Sequence, residues 1–201
     1  MRSLTSSVGS DVVAVVRLFF SVPLSDEARS AAADVLRAMK RAAGDEAPLS
    51  WTKDEQLHFT IAFLGEQSDE ALPRLRAAAA PCAAFRAFEL ELRGGGAFPN
   101  PRRPRVLWLG VGDGALPLQQ IAGRLCSGLR EGGFALEARP FRGHLTVARV
   151  RPGGERSALR ALQVVPSTAI ATFNVERLCL MQSHLSPHGA KHTLVDETIL
   201  S

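Results

Sequence analysis

The chain has 201 residues, of which 46% are hydrophobic and 22% are charged, with a formal net charge of +4. A chain of this length buries a sizeable core, and this composition excludes global disorder, so a folded protein is expected. The basic balance is compatible with a phosphate-rich partner but does not identify one.

The cysteine pattern and the early apolar residues indicate where in the cell the protein is located. Cys82, Cys126 and Cys179 are odd in number and widely spaced, which argues against a disulfide framework or a cysteine-based zinc motif. The longest early apolar stretch, Val12–Phe20, is broken by Arg17 and is too short to span a bilayer. We therefore expect a cytoplasmic protein without a membrane segment.

Strand and helix patterns alternate through the first half of the chain. The small, polar residues 1–11 predict a flexible tail. Ser25, followed by two acidic residues, is typical of a helix start, and Ser68 is a second such cap. In chain order, the sequence predicts a strand over Val12–Val22, a helix from Asp26 to Ala43, a strand over Leu57–Leu64, a helix from Ser68 to Ala80 and a strand over Phe85–Arg93.

A similar pattern follows in the second half. Gly94–Gly96 is expected to end the preceding strand, and a Pro- and Arg-rich loop, Pro99–Arg105, comes next. The predicted elements are a strand over Val106–Val111, a helix over Leu116–Glu131, a strand over Leu145–Val150, a helix over Glu155–Val164, and strands over Ala169–Phe173, Arg177–Ser183 and Thr193–Val195.

The spacing of these elements indicates an internal duplication. Leu18 precedes His58 by 40 residues, and Leu107 precedes His144 by 37. The late cluster of strands and the short connections favour antiparallel pairing over a parallel sheet. The predicted fold class is α+β. It has two pseudo-symmetric lobes, each a mainly antiparallel sheet with helices on the outer face, around a central cleft, in a single bilobal domain over residues 12–201.

Two stretches nearly repeat each other: His58-Phe59-Thr60-Ile61 and His144-Leu145-Thr146-Val147. Side chains alternate along a strand, so each histidine shares a face with the threonine two residues on, while Phe63 takes the opposite face. One such motif is usually packing, but a pair in duplicated contexts is specific. If the strands lie together, they form a cleft with two imidazoles and two hydroxyls.

Paired imidazoles and hydroxyls suit the opening of a cyclic phosphodiester. Histidine has the side-chain pKa nearest neutrality, so two can supply one general base and one general acid. Threonine hydroxyls can donate to the non-bridging oxygens, where charge develops in the transition state. This scheme requires neither a metal ion nor a cofactor. The catalytic candidates are His58, Thr60, His144 and Thr146.

The motif pair and its flanks resemble the LigT-like RNA 2′,3′-cyclic phosphodiesterases of the two-histidine phosphoesterase superfamily. The resemblance extends from about Val12 to Val195. Besides the histidine motifs, 86 positions apart, it rests on Arg17–Pro23, Trp51, Phe63–Glu66, Arg105–Val111, Ala148-Arg149, Val175–Leu180, Ser183 and Gly189.

The resemblance implies an enzyme that opens 2′,3′-cyclic phosphate ends to 2′-phosphates, together with reversible 2′–5′ RNA ligation. It implies His58 as proton donor to the leaving oxygen and His144 as acceptor from water. The expected partner is RNA or a nucleotide with a cyclic phosphate, and we expect a monomer. Two alternatives stay open: a related enzyme for another cyclic or 2′–5′-linked nucleotide, and a catalytically idle RNA-binding module.

Two positions depart from the family pattern. Gly143 stands where the family often has Pro, and its expected effect is a looser entry to the second histidine strand. His192 stands where the family often has Tyr, and the expected effect is on packing at the end of the sheet. These departures bear on substrate preference.

Other candidates carry weaker signals. His184, His188 and His192 would suit a metal on a helix, but Pro187 and a following glycine disfavour a helix, so Ser183–Gly189 is predicted as a loop.

Arg102, Arg103 and Arg105 either meet an RNA backbone or form a solvated loop. Alternation places Arg149 opposite the face of His144, so no catalytic role is predicted for it. Three aromatic side chains are expected in the core: Phe19, Phe63 and Trp108.

Overall fold

Strands and helices alternate through most of the chain, and three strands end it. The computed structural model describes residues 15–186 and 189–201, so the tail predicted over residues 1–11 lies outside the described residues. The elements are β1 (Val15–Pro23), α1 (Asp26–Ala43), β2 (Leu49–Trp51), β3 (His58–Ser68), α2 (Leu72–Ala79), β4 (Phe88–Phe98), β5 (Val106–Val111), α3 (Ala115–Glu131), β6 (Leu145–Val150), α4 (Glu155–Gln163), β7 (Ala169–Val175), β8 (Arg177–Ser186) and β9 (Gly189–Ile199).

One sheet runs through the whole fold, in the order β7-β4-β5-β6-β3-β1-β8-β9, with β2 also paired to β6. Every pairing is antiparallel. We call β1, β3, β8 and β9 the first lobe, and β2, β4, β5, β6 and β7 the second lobe. The predicted α+β class is confirmed, although the lobes share one sheet, because the two histidine strands pair directly.

The core lies between the helices and one face of this sheet. The helices pack in two pairs, α1 with α4 and α2 with α3, and α1 also contacts β7. Phe59 and Leu145 are fully buried in this core. Because side chains alternate, the opposite face at these positions stays open. Within residues 15–186 and 189–201, no helix is both long and apolar enough to cross a membrane.

The first helix begins where the sequence predicts. The Ser25 hydroxyl accepts a hydrogen bond from the Ala28 amide at 3.1 Å, and Asp26 and Glu27 occupy the first turn. The hydroxyl accepts from an otherwise unpaired amide, and the two carboxylates interact favourably with the positive end of the helix dipole. In contrast, Ser68 ends β3 and makes no capping bond, and the next α-helix starts only at Leu72.

The three glycines expected to end a strand lie inside β4 instead. Gly96 pairs with Trp108 of β5, and the indole ring lies against it. A Cβ on Gly96 would be 2.7 Å from Trp108 Cη2, so glycine here makes room for a ring on the neighbouring strand.

The last two strands are longer than predicted. His184 to Ser186, expected in a loop, belong to β8, and β9 begins at Gly189. Pro187 and His188 lie outside the described residues. The sequence does not predict the short strand β2, because three residues give no readable alternation.

Replacing Gly96 by Val tests the packing of this strand pair. We expect the free energy of unfolding to fall by about 1–3 kcal/mol, because the added atoms overlap the Trp108 ring. Urea denaturation measures the change. Gly123 of α3 is the control, since nothing lies within 4 Å of its missing Cβ. Gly123→Ala should raise stability by about 0.5–1 kcal/mol, and an unchanged Gly96→Val protein would contradict the packing argument.

Candidate active site

Four motif side chains project from one face of the sheet where β3 meets β6. Phe59 pairs with Leu145 at this junction. Continuing the antiparallel register by one residue places each histidine opposite the threonine of the other strand. Opposite Cβ atoms lie about 4.5–5.5 Å apart and diagonal neighbours about 7–8 Å, so the two histidines are within reach of one phosphate. The side chains brought together are His58, Thr60, His144 and Thr146.

Both imidazoles are oriented by the same backbone contact. His58 Nδ1 lies 2.7 Å from the carbonyl oxygen of Gln56, and His144 Nδ1 lies 2.7 Å from that of Arg142. A carbonyl only accepts, so each Nδ1 carries a proton and donates it. In the neutral ring Nε2 is then the free base. His58 Nε2 lies 3.0 Å from Thr60 Oγ1, whose hydroxyl donates to it.

A bulge follows each threonine and changes which side chains reach the open face. Ile61 has no partner in the β1–β3 register, and Val147 has none in the β5–β6 register. The extra residue shifts the alternation, so Phe63 and Arg149 lie on the same face as the histidines. Simple alternation predicts both on the opposite face, and both predictions are wrong. Phe63 is 56% exposed rather than in the core.

Aromatic rings surround His58 in the first lobe. Its ring centroid lies 4.9 Å from that of Phe19, which also stacks on Phe63 at 5.7 Å. His192 meets the edge of both neighbours, 4.9 Å from Phe19 and 5.2 Å from His58. His192 lies on β9, the last strand of the sheet, and its packing there involves the catalytic candidate itself. Sequence reasoning found the unusual residue but not its neighbours.

The second lobe places a different aromatic group beside His144. The Phe98 ring lies edge-on to His144 at 4.9 Å and 5.4 Å from the Trp108 ring. The Arg142 guanidinium lies over both rings, 5.6 Å from Phe98 and 4.8 Å from Trp108. Trp108 pairs with Thr146, so it faces the open side rather than the core. Among the described side chains, Trp108 Nε1 is the buried polar atom without a hydrogen-bond partner.

The segment before β3 connects the two histidine strands. The Thr52 hydroxyl donates to the carbonyl of Thr146 at 3.1 Å. Arg29 of α1 donates to the carbonyls of Leu57 at 3.1 Å and Asp54 at 3.4 Å. The backbone that positions His58 is therefore held from both sides.

Burial keeps the two catalytic candidates neutral at neutral pH. Desolvation lowers the pKa of His58 to about 4, the Gln56 carbonyl opposes this change, and the charges of His192 and Arg29 add to it. Burial also lowers the pKa of His144, against the Arg142 carbonyl. Removing an imidazolium from water costs more than the hydrogen bond returns. Both Nε2 atoms are thus available as bases.

The other sequence candidates lie away from this arrangement. His184 pairs with Lys191 and His192 with Ser183, so the two histidines face opposite sides of the β8–β9 hairpin. His184 Nε2 instead lies 3.1 Å from Thr193 Oγ1. In the part of the chain that the structure describes, no three His, Cys, Asp or Glu side chains converge as metal ligands.

Two further positions flank the second histidine strand. The loop with Arg102, Arg103 and Arg105 begins directly after Phe98, and these three residues are exposed. A Cβ on Gly143 would lie 2.9 Å from Leu118 Cδ2, so a larger residue here would require Leu118 to shift. The looser entry expected at Gly143 stays a prediction.

Comparison with known proteins agrees with the fold and the motif pair. The sequence model of the 2′-5′ RNA ligase superfamily matches residues 18–187, and the chain belongs to this family. This confirms the resemblance to the two-histidine phosphoesterases.

Two relatives are RNA 2′,3′-cyclic phosphodiesterases. The one from Aeropyrum pernix is 36% identical over 71% of this chain and 81% of its own length. The one from Archaeoglobus fulgidus is 32% identical over 87% and 94%. Among solved structures, TT0787 of Thermus thermophilus superposes with a TM-score of 0.72 at 28% identity, covering 92% of this chain and 97% of that one. E. coli LigT complexed with NADP+ gives 0.71 at 28% identity, covering 92% and 98%.

The lowered pKa of His58 predicts a loss of stability in acid. Its unfolded-state pKa is 6.5 and its folded-state pKa about 4, so between these values only the unfolded chain binds the proton. The free energy of unfolding should fall as the pH drops from 7 to 5, by about 2 kcal/mol through this group at roughly 1.36 kcal/mol per pH unit. Urea titrations at both pH values measure it.

Over the same pH interval, the free energy of unfolding of His58→Gln should fall by about 2 kcal/mol less than that of the wild-type protein. His184→Gln, at an exposed histidine outside the cleft, is the matched control and should behave as wild type. Equal losses in wild type and His58→Gln would contradict the burial argument.

Proposed function

We propose that this chain is an RNA 2′,3′-cyclic phosphodiesterase that hydrolyses cyclic phosphate ends to 2′-phosphates by acid–base catalysis with His58 and His144. The observation that carries the proposal is the repeated orientation of two imidazoles, each held through Nδ1 by the carbonyl two residues earlier. The names of the relatives from Aeropyrum pernix and Archaeoglobus fulgidus support the substrate class.

The reaction is an in-line displacement at phosphorus. His144 Nε2 takes a proton from water as the water oxygen bonds to phosphorus. The bond from phosphorus to the ribose 3′-oxygen breaks, and that oxygen receives a proton from His58 Nε2. The hydroxyls of Thr60 and Thr146 donate to the non-bridging oxygens, where negative charge increases. No step requires a metal ion or a cofactor.

The donor role requires that substrate binding changes the protonation of His58. Its pKa of about 4 leaves the ring neutral at neutral pH before substrate binds. A bound phosphodiester places a negative charge beside the ring and raises this pKa. The Thr60 hydroxyl, which donates to neutral His58, is then free to turn toward the phosphate. His58 therefore becomes protonated, and able to act as the general acid, only after the anionic substrate has bound.

Arg149 supplies positive charge on the same face. The bulge at Val147 brings it into register with Val106 on the face of Thr146. A guanidinium forms strong charge-assisted hydrogen bonds to phosphate oxygens. We propose that Arg149 binds the phosphate or the adjoining RNA backbone, which replaces the prediction that it has no role.

The wider organisation follows from the shared sheet. We propose that residues 12–201 act as one bilobal domain and that the enzyme works as a monomer, because all four motif residues lie on one sheet of one chain. We also propose a cytoplasmic location, in keeping with an RNA substrate. The family name supports reversible 2′–5′ ligation. A 5′-hydroxyl of a second RNA end takes the place of water, loses its proton to His144 and bonds to phosphorus, while the 3′-oxygen leaves with a proton from His58. Exchanged histidine roles run this ligation backwards.

The decisive experiment uses an oligoribonucleotide with a 2′,3′-cyclic phosphate end, in the presence of EDTA. We expect hydrolysis to continue and end-group analysis to show a 2′-phosphate. A 3′-phosphate product would reverse the assignment of the leaving oxygen. Activity abolished by EDTA and restored by zinc would contradict the metal-independent mechanism, and activity only on another cyclic or 2′–5′-linked nucleotide would favour the alternative substrate.

Replacing either histidine by Ala should remove the chemical step. We expect His58→Ala and His144→Ala each to lower kcat by about 10²–10⁴-fold, and the double variant to be little worse than the worse single one, because the pair acts as a unit. Steady-state kinetics measure this, with circular dichroism to verify folding. His184→Ala is the matched control outside the cleft. Nearly full activity in His58→Ala would remove it as proton donor.

The threonine hydroxyls should act mainly in the transition state. Thr60→Ala and Thr146→Ala are expected to lower kcat by roughly 10²–10³-fold with little change in KM, since the lost donors meet charge that develops during the reaction. Thr172, exposed on β7, provides the matched Thr→Ala control. A rise in KM with kcat unchanged would make the hydroxyls ground-state binders instead.

A further inference from the structure

A cavity of about 280 Å³ adjoins His58 on the first lobe. Its floor is apolar: Phe19 pairs with Met181, and Met181 pairs with Leu194, so three neighbouring strands contribute a continuous row. Leu194 is 56% exposed although it lines this cavity. An apolar row that ends in an exposed leucine beside a polar group is typical of a surface that binds part of a ligand.

The mouth of the cavity carries opposite charges. Arg177 and Glu197 form an ion pair at 3.6 Å, with side-chain exposures of 53% and 38%. Both line the cavity. The pair offers donors and acceptors beside the apolar row, as recognition of a base edge requires.

His192 lines this cavity together with the catalytic candidate His58. Its ring contacts Phe19 of the floor and the edge of His58. The start of β9 is tied to the segment before His58, because the Gln56 side-chain amide donates to the carbonyl of Ala190. His192 thus presents an aromatic surface to whatever fills the cavity, at a position where the family often has another aromatic residue.

We propose that this cavity binds the nucleobase of the nucleotide that carries the cyclic phosphate, and that His192 is its specificity-determining residue. The inference rests on the proposed function, which places the leaving ribose oxygen at His58 and hence the ribose and its base on the first lobe. The volume suits one base rather than several nucleotides. Phe, Tyr, Trp and His rings are the usual platforms for unstacked bases.

The aromatic pair of the second lobe is a poorer candidate for the same base. The Arg142 guanidinium already covers Phe98 and Trp108. These rings also lie beside His144, on the side from which the water approaches.

The test compares two substrates that differ only in the base: adenosine 2′,3′-cyclic phosphate and methyl β-D-ribofuranoside 2,3-cyclic phosphate. Wild type should favour the nucleotide in kcat/KM. His192→Ala should lower the ratio of kcat/KM for the nucleotide to kcat/KM for the base-free substrate by about tenfold or more, within the range of one base stack. His192→Tyr should retain the preference. His184→Ala, which removes a contact within the β8–β9 hairpin outside the cavity, should leave it unchanged.

Each other outcome is decisive. Equal losses on both substrates in His192→Ala would overturn the base pocket and make His192 a positioning residue for His58. A wild-type enzyme that hydrolyses both substrates equally well would overturn the pocket while the phosphodiesterase function stands. A wild-type protein that hydrolyses neither would overturn this inference, and one that also leaves the cyclic-phosphate oligoribonucleotide intact would overturn the proposed function with it. If His192→Ala fails to fold, Met181→Ala on the cavity floor makes the same comparison.

Discussion

The antiparallel contact between β3 and β6 is the constraint on which the site depends. Phe59 and Leu145 meet there and are both 0% exposed. Burying a Phe or Leu side chain contributes about 1.5–3 kcal/mol each, and this burial fixes which face of each strand points inward. The polar residues on either side of them must then face out together. Core packing under the junction therefore orients the catalytic candidates above it.

A duplicated backbone gives two different chemical environments. In each half a histidine is held through Nδ1, a threonine follows, and a bulge returns a later residue of the strand to the open face. That residue is Phe63 in the first lobe and Arg149 in the second. The first lobe therefore offers an apolar, aromatic surface, and the second offers cationic groups. The symmetric backbone places equivalent residues at equivalent positions in the two lobes. The different side chains at those positions make the two sides of the site chemically distinct.

The sequence predicts the parts of this site that depend on local pattern. Alternation along a strand places His58 and Thr60 on the same face. The internal duplication predicts that this strand lies beside the second histidine strand. The prediction fails where a contact between residues far apart in the sequence determines the local structure. A bulge leaves no signal in composition, so alternation puts Phe63 and Arg149 on the wrong face. Gly96 has the local pattern of a strand end, because the ring that needs its missing Cβ belongs to Trp108 on another strand.

The segment that leads into β3 has a mechanical consequence. It pairs with β6 through β2, bonds to Thr146 through Thr52, and then continues directly into His58. A displacement of the second lobe pulls on the backbone that carries the first histidine, so the two imidazoles move together. The distance between the two imidazoles is thus set by backbone contacts of the second lobe as well as by the β3–β6 pair.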